Sequence, residues 1–281
     1  MSSPKLKITI VVENSVGRPL PLLGEHGLAC LVDCAAGRLL FDTGRGTALL
    51  HNLDILGIDA ASIDAVVLSH GHDDHTGGLL PLLRKIGPRP VYAHPEIFSE
   101  RYFAKGSEIR PIGLVHSRNE LEAAGARFRL IEECSELAHG LWFSGVIPRR
   151  NAVEHGDLSL VIPVAGSWET DPFTDDAALA LSTASGLVIL LGCAHAGVIN
   201  TIEHFRRQLG EGKIHAVIGG MHLAPVSDGQ YQATESYFAA RDNCSTRLGL
   251  CHCTGLDRAA ALHARFPGRV SFASVGTTYT F

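Results

Sequence analysis

Residues 65–78, AVVLSHGHDDHTGG, place His70, His72, Asp74 and His75 within six positions, directly after an apolar run. Imidazole nitrogen and carboxylate oxygen are ligands that zinc accepts in roughly tetrahedral sites, and a catalytic site keeps one position open for water. Gly71, Gly77 and Gly78 are expected to let the backbone turn tightly. Imidazoles that would alternate across a straight strand then meet at one point, and a loop, not a helix, is the expected carrier. Four ligands at one corner, joined by donors from elsewhere in the chain, exceed the needs of one ion. They point to two ions about 3.5 to 4 Å apart that share a hydroxide. The chain has 15 histidines against 24 Lys plus Arg, a heavy load of the side chain suited to both metal binding and proton transfer near neutrality.

The elements that must carry these residues alternate along the chain. LKITIVV, ACLVD and RLLFDTG read as a meander of strands with a turn at 35–37. A helix over 47–56, a strand at 65–69, a helix over 79–85 and a strand VYA before His94 follow. Residues 95–165 are less regular, with a helix near 119–124 and short strands at FRLI, LWFS and LSLVI. From Ala178, ALALS and LVILLG flank a turn at 184–186. Val198, Ile202, Phe205 and Leu209 then share one helical face that should pack on a sheet. AVIGG at 216–220, a helix near 234–241, RLGLC and a helix over 256–265 complete two more strand and helix units. The expected fold class is mixed α/β (α+β), with sheets in the middle and helices outside, in one domain over 1–281.

Composition narrows the function classes. The net charge of -5 offers no broad basic surface to hold a nucleic-acid backbone by counterion release. The longest apolar runs, near 8–12 and 187–191, fall far short of the roughly 18 residues that span a bilayer. Lys5 and Lys7 precede too short an apolar run for a secretory signal, so a cytoplasmic protein is expected. Seven cysteines, an odd number thinly spread, do not form a disulfide framework. Cys251 and Cys253 flank His252 and read as small buried residues or as a redox or metal pair. Arg149 and Arg150 in SGVIPRR suit a phosphate or carboxylate, or are solvated surface arginines. Glu25, His26 and His94 are candidates to line a cleft.

The H-x-H-x-D-H run of His70, His72, Asp74 and His75 resembles the signature of the metallo-β-lactamase superfamily. The FDTG segment, with Asp42 located 28 residues before His70, resembles that superfamily's first motif. The resemblance implies a four-layer αββα sandwich and an Asp42 that orients the ligand loop without binding metal; the plainer reading is a turn-capping aspartate. VVEN, LGEHGLACLV, VYAHP, SGVIPR, GCAHAGVINT, GGMHL and HCTG follow the order found in one branch of the superfamily. Its members are called 7,8-dihydropterin-6-yl-methyl-4-(β-D-ribofuranosyl)aminobenzene 5'-phosphate synthase-like.

By the order of the motifs, the resemblance assigns His252 in CHCTG to the second ion. GCAH stands where most members have Gly-Asp, and no T-P-G-H-T segment lies between His94 and His155. His195 is therefore expected to replace the missing histidine, and Cys193 to stand at the bridging position as a thiolate ligand or as a buried inert thiol. His222 reads as a ligand, a proton donor or a structural histidine. Arg149 is favoured over Arg150 for a phosphorylated substrate.

The implied activity is hydrolysis of an ester or phosphoester-type small molecule by a hydroxide bound to two zinc ions, with manganese or iron(II) as alternatives. Asp74 would accept the nucleophile's proton and His222 would serve the leaving group. The alternative within enzymes is condensation of a pterin with a ribofuranosylaminobenzene phosphate, releasing diphosphate. Diiron oxygen or nitric-oxide reduction is disfavoured by His72, which stands where those enzymes carry a carboxylate. Outside enzymes, a metal-binding sensor or scaffold remains. A phosphorylated or pterin-like substrate is the expected partner, nucleic acid and membrane are not, and self-association into a homo-oligomer stays open.

Overall fold

The apolar runs become strands covered on both faces. In the computed structural model, which describes residues 6–210 and 212–281, Lys7–Val12, Ala65–Val67 and Gly186–Leu191 are buried at nearly every position. Lys5 lies outside the described residues. The chain divides into two compact units: Met1–Glu132 with Leu158–Asp175 and Ser274–Phe281, and Glu133–Asp157 with Asp176–Ala273.

In the first unit a seven-stranded sheet runs Thr278–Thr280, Lys7–Val12, Ala29–Cys34, Gly37–Phe41, Ala65–Val67, Arg89–Ala93, Ala126–Leu130. Pairing is antiparallel as far as Gly37–Phe41 and parallel beyond it. The helices Leu49–Ile55 and Leu79–Ile86 supply Leu49, Leu53, Leu79, Leu82 and Leu83 to a core shared with Val66 and Val91. Phe41 pairs with Val67, so Asp42 and Ser69 leave neighbouring strands together. The Asp42 N–H also donates to the Val67 carbonyl at 2.8 Å.

A second sheet in this unit, ordered Ser167–Thr170, Leu160–Val164, Tyr102–Lys105, Glu108–Pro111, was expected only at LSLVI. Its outer strands are exposed at every position and lack the apolar pattern that marks a strand in sequence. It closes on the small cluster of Ile112, Leu160 and Phe173.

In the second unit the sheet runs Val270–Phe272, Arg247–Leu250, Ile214–Gly219, Gly186–Leu191, Ala178–Thr183, Leu141–Phe143, Ser135–Ala138. Here the first four strands pair in parallel and the rest antiparallel. The expected helical face is realised in Val198–Leu209: Val198, Ile202 and Phe205 are buried, and Leu209 packs at the margin. Phe205 is 0% exposed, and truncating such a side chain to alanine costs about 3–5 kcal/mol. The helix expected near 234–241 starts earlier, as Asp228–Ala239, because the Ser227 hydroxyl caps it by accepting from the Gln230 N–H. Among the described residues no helix is long and apolar enough to cross a membrane.

Candidate metal centre

The carboxyl end of Ala65–Val67 delivers the histidine run, and its carrier is partly helical. Asp73–Thr76 forms one helical turn with His72 at its N-cap in extended conformation, correcting the expected loop. Two acidic residues in that turn, Asp73 and Asp74, favour the helical N-terminus. The glycines also act differently from expectation. Gly77 and Gly78 have ordinary right-handed backbone, with φ of -63° and -77°. They are required by close approach instead, since a Cβ on Gly78 would run into the Thr43 carbonyl and one on Gly77 into that of Arg45.

Within the first unit the rings of His70 and His72 lie 4.6 Å apart, and those of His70 and His75 lie 4.2 Å apart. All three are buried, as is Asp74, whose Oδ1 is 4.0 Å from His75 Nε2. Asp42, fully buried, organises them. Its Oδ1 accepts from the Ser69 N–H at 2.7 Å, while its Oδ2 accepts from the Ser69 hydroxyl and from His75 Nδ1, each at 2.7 Å. The single Ser69 hydroxyl proton is thereby used, so its oxygen accepts from His70 Nδ1 at 2.8 Å. This network puts a proton on Nδ1 of both His70 and His75, which makes Nε2 the lone-pair atom of each ring, the tautomer of metal-binding histidines with oxygen partners behind them. Burial, reinforced by His75 and His72, holds His70 well below the usual histidine range and keeps it neutral, the form that coordinates metal.

The loop between the first two histidines is clamped from far along the chain. The Gly71 N–H donates to Asp175 Oδ2 at 2.8 Å, and Arg101 Nη2 donates to Asp175 Oδ1 at 2.7 Å. Arg101 Nε also donates to Asp171 Oδ2 at 2.8 Å, and all three side chains are at most 2% exposed. Phe173 stands edge-on to the His72 ring at 5.6 Å.

The expected cleft residues have individual roles. Glu25 accepts from the backbone N–H groups of Arg45, Gly46, Thr47 and Ala48. His26 Nε2 is 3.1 Å from Asp74 Oδ2, and that hydrogen bond raises its pKa against the opposing effect of burial. His94 Nδ1 accepts from the Glu96 N–H and caps a short helical turn.

In the second unit the strands Gly186–Leu191, Ile214–Gly219 and Arg247–Leu250 lead at their carboxyl ends to Cys193 and His195, to His222, and to His252. The structure brings His195 and His222 together, with ring centroids 4.3 Å apart. It also brings in Cys253, for which the sequence left a small buried residue and a redox or metal role open: one ligand atom each of Cys193, His222 and Cys253 lie within 4.8 Å of one another. His222 Nε2 is 3.4 Å from Asp157 Oδ2. Burial opposes charge on His222, but the hydrogen bonds to Asp157 and Cys253 push its pKa up to about 9. Burial likewise opposes the Cys253 thiolate, and contacts with Cys193 and His222 bring that thiol well below the usual cysteine range.

His252 is buried and opens a single helical turn, His252–Thr254. Arg149 donates through Nη1 to the His155 carbonyl at 3.0 Å and through Nη2 to the His195 carbonyl at 2.9 Å. Its guanidinium therefore ties the 149–155 loop to the strand end. Asp176 was also missed. Burial pushes its carboxyl up to about 6 while its Oδ2 accepts from the Ala196 N–H at 2.8 Å. The signal was present as two aspartates, Asp175 and Asp176, directly before the apolar strand Ala178–Thr183. A charge at such a position needs a buried partner.

The donor chemistry fits a divalent cation: imidazoles with their Nδ1 atoms held from behind, a neighbouring carboxylate, and in the second unit soft thiols. Comparison with known proteins agrees. A family model of the metallo-beta-lactamase superfamily matches residues 26–198. The chain is 31% identical over 261 residues to a 7,8-dihydropterin-6-methyl-4-(beta-D-ribofuranosyl)-aminobenzene-5'-phosphate synthase of Methanocaldococcus jannaschii, covering 89% of this chain and 88% of that one. A crystal structure described as a metal-dependent hydrolase of the beta-lactamase superfamily aligns with a TM-score of 0.83 at 27% identity, covering 98% of both chains. A zinc-bound PqqB from Methylobacterium extorquens, at 15% identity and a TM-score of 0.54 over 97% of this chain and 99% of that one, shares the fold. The chain belongs to the metallo-beta-lactamase superfamily, a family of metal-binding enzymes with a mixed α/β fold.

Proposed function

We propose that this protein is a metal-dependent hydrolase of a small ester or phosphoester-type substrate that works with two zinc ions. The observation that carries the reading is the buried His70, His72 and His75 cluster, with Asp42 and Ser69 holding the Nδ1 atoms of His70 and His75. His70, His72, Asp74, His75, His195, His252 and Cys193 are the proposed ligands, on the strength of the superfamily motif and its order in the chain. Manganese or iron(II) suits the same imidazole and carboxylate donors. When bound, such ions lower the pKa of water toward neutrality and offset negative charge building on the substrate.

The chain's own groups then divide the proton work. Asp74, oriented by His26 at 3.1 Å, takes the nucleophile's proton on its carboxylate. His222 supplies a proton to the leaving group where it is not itself coordinated. Arg149 is the proposed contact for a phosphorylated substrate, although its two Nη groups are engaged with backbone carbonyls in this structure.

The identity of 31% to the dihydropterin synthase favours a second reading, condensation with release of diphosphate, on a pterin-like substrate. Metal analysis of the purified protein, followed by phosphodiester, lactone, thioester and pterin substrates, separates the two. Two equivalents of zinc with hydrolytic turnover that falls in Asp74→Ala are expected. Condensation alone, or an Asp74→Ala protein that keeps both metal and turnover, refutes the hydrolase assignment.

A further inference from the structure

We propose that Cys193, His222 and Cys253 form a thiolate-bearing cation site within the second unit, taking a thiophilic divalent ion such as zinc through two sulfurs and one imidazole nitrogen. The proposal deepens the metal-dependent reading but does not depend on which reaction is catalysed. It assigns His222 as a ligand rather than an acid and adds Cys253, which the family motif leaves out.

The geometry comes from three strand ends. The donor atoms of the three residues fall within 4.8 Å of one another. Ligands of a tetrahedral ion with bonds near 2.3 Å are separated by roughly 3.8 Å, so closure needs a contraction of at most about 1 Å, within reach of side-chain rotation. His222 is already aimed. Its Nε2 faces the Asp157 carboxylate at 3.4 Å, and its buried Nδ1 has no hydrogen-bond partner among the described residues. A carboxylate behind one ring nitrogen with the other left for metal is the usual arrangement of a coordinating imidazole.

Cys253 is prepared in the same sense. The His222 backbone N–H donates to its Sγ at 3.3 Å, a bond that suits a thiolate. A Cβ on Gly220 would stand 2.5 Å from that sulfur, so glycine there leaves the space the sulfur occupies. His222 itself has a φ of 45°, and Ala194, next to Cys193, has a φ of 55°. Left-handed backbone at non-glycine residues is costly and persists where the surroundings impose it. Here it turns two of the donor segments at their strand ends. Cys193 and Cys253 supply soft sulfur, which selects zinc, cobalt or cadmium over magnesium or calcium.

Metal-free, reduced full-length protein titrated with Co2+ tests the proposal by absorption. A near-ultraviolet sulfur-to-cobalt charge-transfer band is expected. Cys253→Ser or Cys193→Ser should remove about half of its intensity, one thiolate of two, and the double variant all of it. The double variant should also bind one equivalent less zinc. His70→Ala, in the other unit, should lower the metal content and turnover yet leave the sulfur band in place, which separates failure of the hydrolase reading from failure of this one. Cobalt-loaded wild-type protein without a sulfur band overturns the proposal, and so does a band of undiminished intensity in Cys253→Ser. The wild-type spectrum decides whether thiolates bind even if a variant does not fold.

Discussion

Replacing Asp175 tests whether the histidine loop is held by a charge outside the metal motif. The carboxylate is fully buried, accepts from Gly71 between His70 and His72, and is shared with Arg101. Asp175→Asn keeps the shape and one carbonyl oxygen but leaves Arg101, 2% exposed, with Asp171 as its remaining carboxylate. Removing one partner of a buried ion pair costs about 3–5 kcal/mol, with asparagine near the lower end and alanine near the upper. An unfolding entropy of ~2.1 cal/mol/K per residue over 281 residues amounts to ~0.6 kcal/mol/K, so the loss lowers Tm by about 5–8 °C. Calorimetry on metal-free protein reads this directly, since bound metal would add its own stabilisation. The second readout is affinity: with the Gly71 amide released, His70 and His72 are less well placed, and zinc binding measured against a competing chelator should weaken about 10-fold. An Asp175→Asn protein with wild-type Tm and wild-type zinc affinity would show that the clamp does not position the ligands.

Asp42→Asn isolates the charge behind His75 and Ser69, because asparagine tolerates the left-handed φ of 60° at this position. Zinc affinity should fall about 10- to 100-fold with the fold intact by circular dichroism, and an unchanged affinity contradicts the orienting role. Glu154 accepts from the Ile199 and Asn200 N–H groups and from Asn151, yet burial raises its pKa above the usual glutamate value. Ionisation is therefore harder in the fold than in the unfolded chain, and the stability this group contributes is full below the ordinary glutamate pKa and is lost as pH rises through the raised one. Glu154→Gln lacks that titration, so its stability deficit relative to wild type should shrink from acid to neutral pH; urea unfolding that gives a pH-independent deficit refutes this. Gly78→Ala drives a Cβ into the Thr43 carbonyl and should destabilise by about 1–3 kcal/mol in urea, whereas a neutral effect would mean that the 43–46 segment yields easily.

The first-unit cluster was legible because its donors are local: His70 to His75 follow one apolar strand, and strand exit plus metal-capable residues suffices to mark a site. What holds the cluster was not. Asp175 meets Gly71 across 104 positions, and nothing in an Asp-Asp pair says which residue it will face. The helical turn Asp73–Thr76 was hidden because four residues are too few to show a helical period. The exposed sheet with Tyr102–Lys105 and Glu108–Pro111 was hidden because its strands carry no alternation, being wet on their outer positions. His222 and Cys253 lie in different motifs, GGMHL and CHCTG, so their approach depends on the parallel register of Ile218 with Gly249 and Gly219 with Leu250, which no local pattern encodes.

Both units place their chemistry by the same device. Each sheet changes from antiparallel to parallel pairing at one strand, Gly37–Phe41 in the first and Gly186–Leu191 in the second. The residues that leave the carboxyl ends of these two strands are Asp42 and Cys193. Six described non-glycine residues have positive φ, and four of them, Asp42, Ala194, His222 and His252, lie just past strands of these two sheets. At about 1–3 kcal/mol apiece, such strain does not accumulate at random. It is tolerated where two buried cores, one around Val66 and Leu79 and the other around Ile189 and Phe205, fix the strands rigidly enough to force the turn. The donors are therefore presented by strained turns on stiff strands, so the work of bringing them together is done by folding rather than by the incoming ligand.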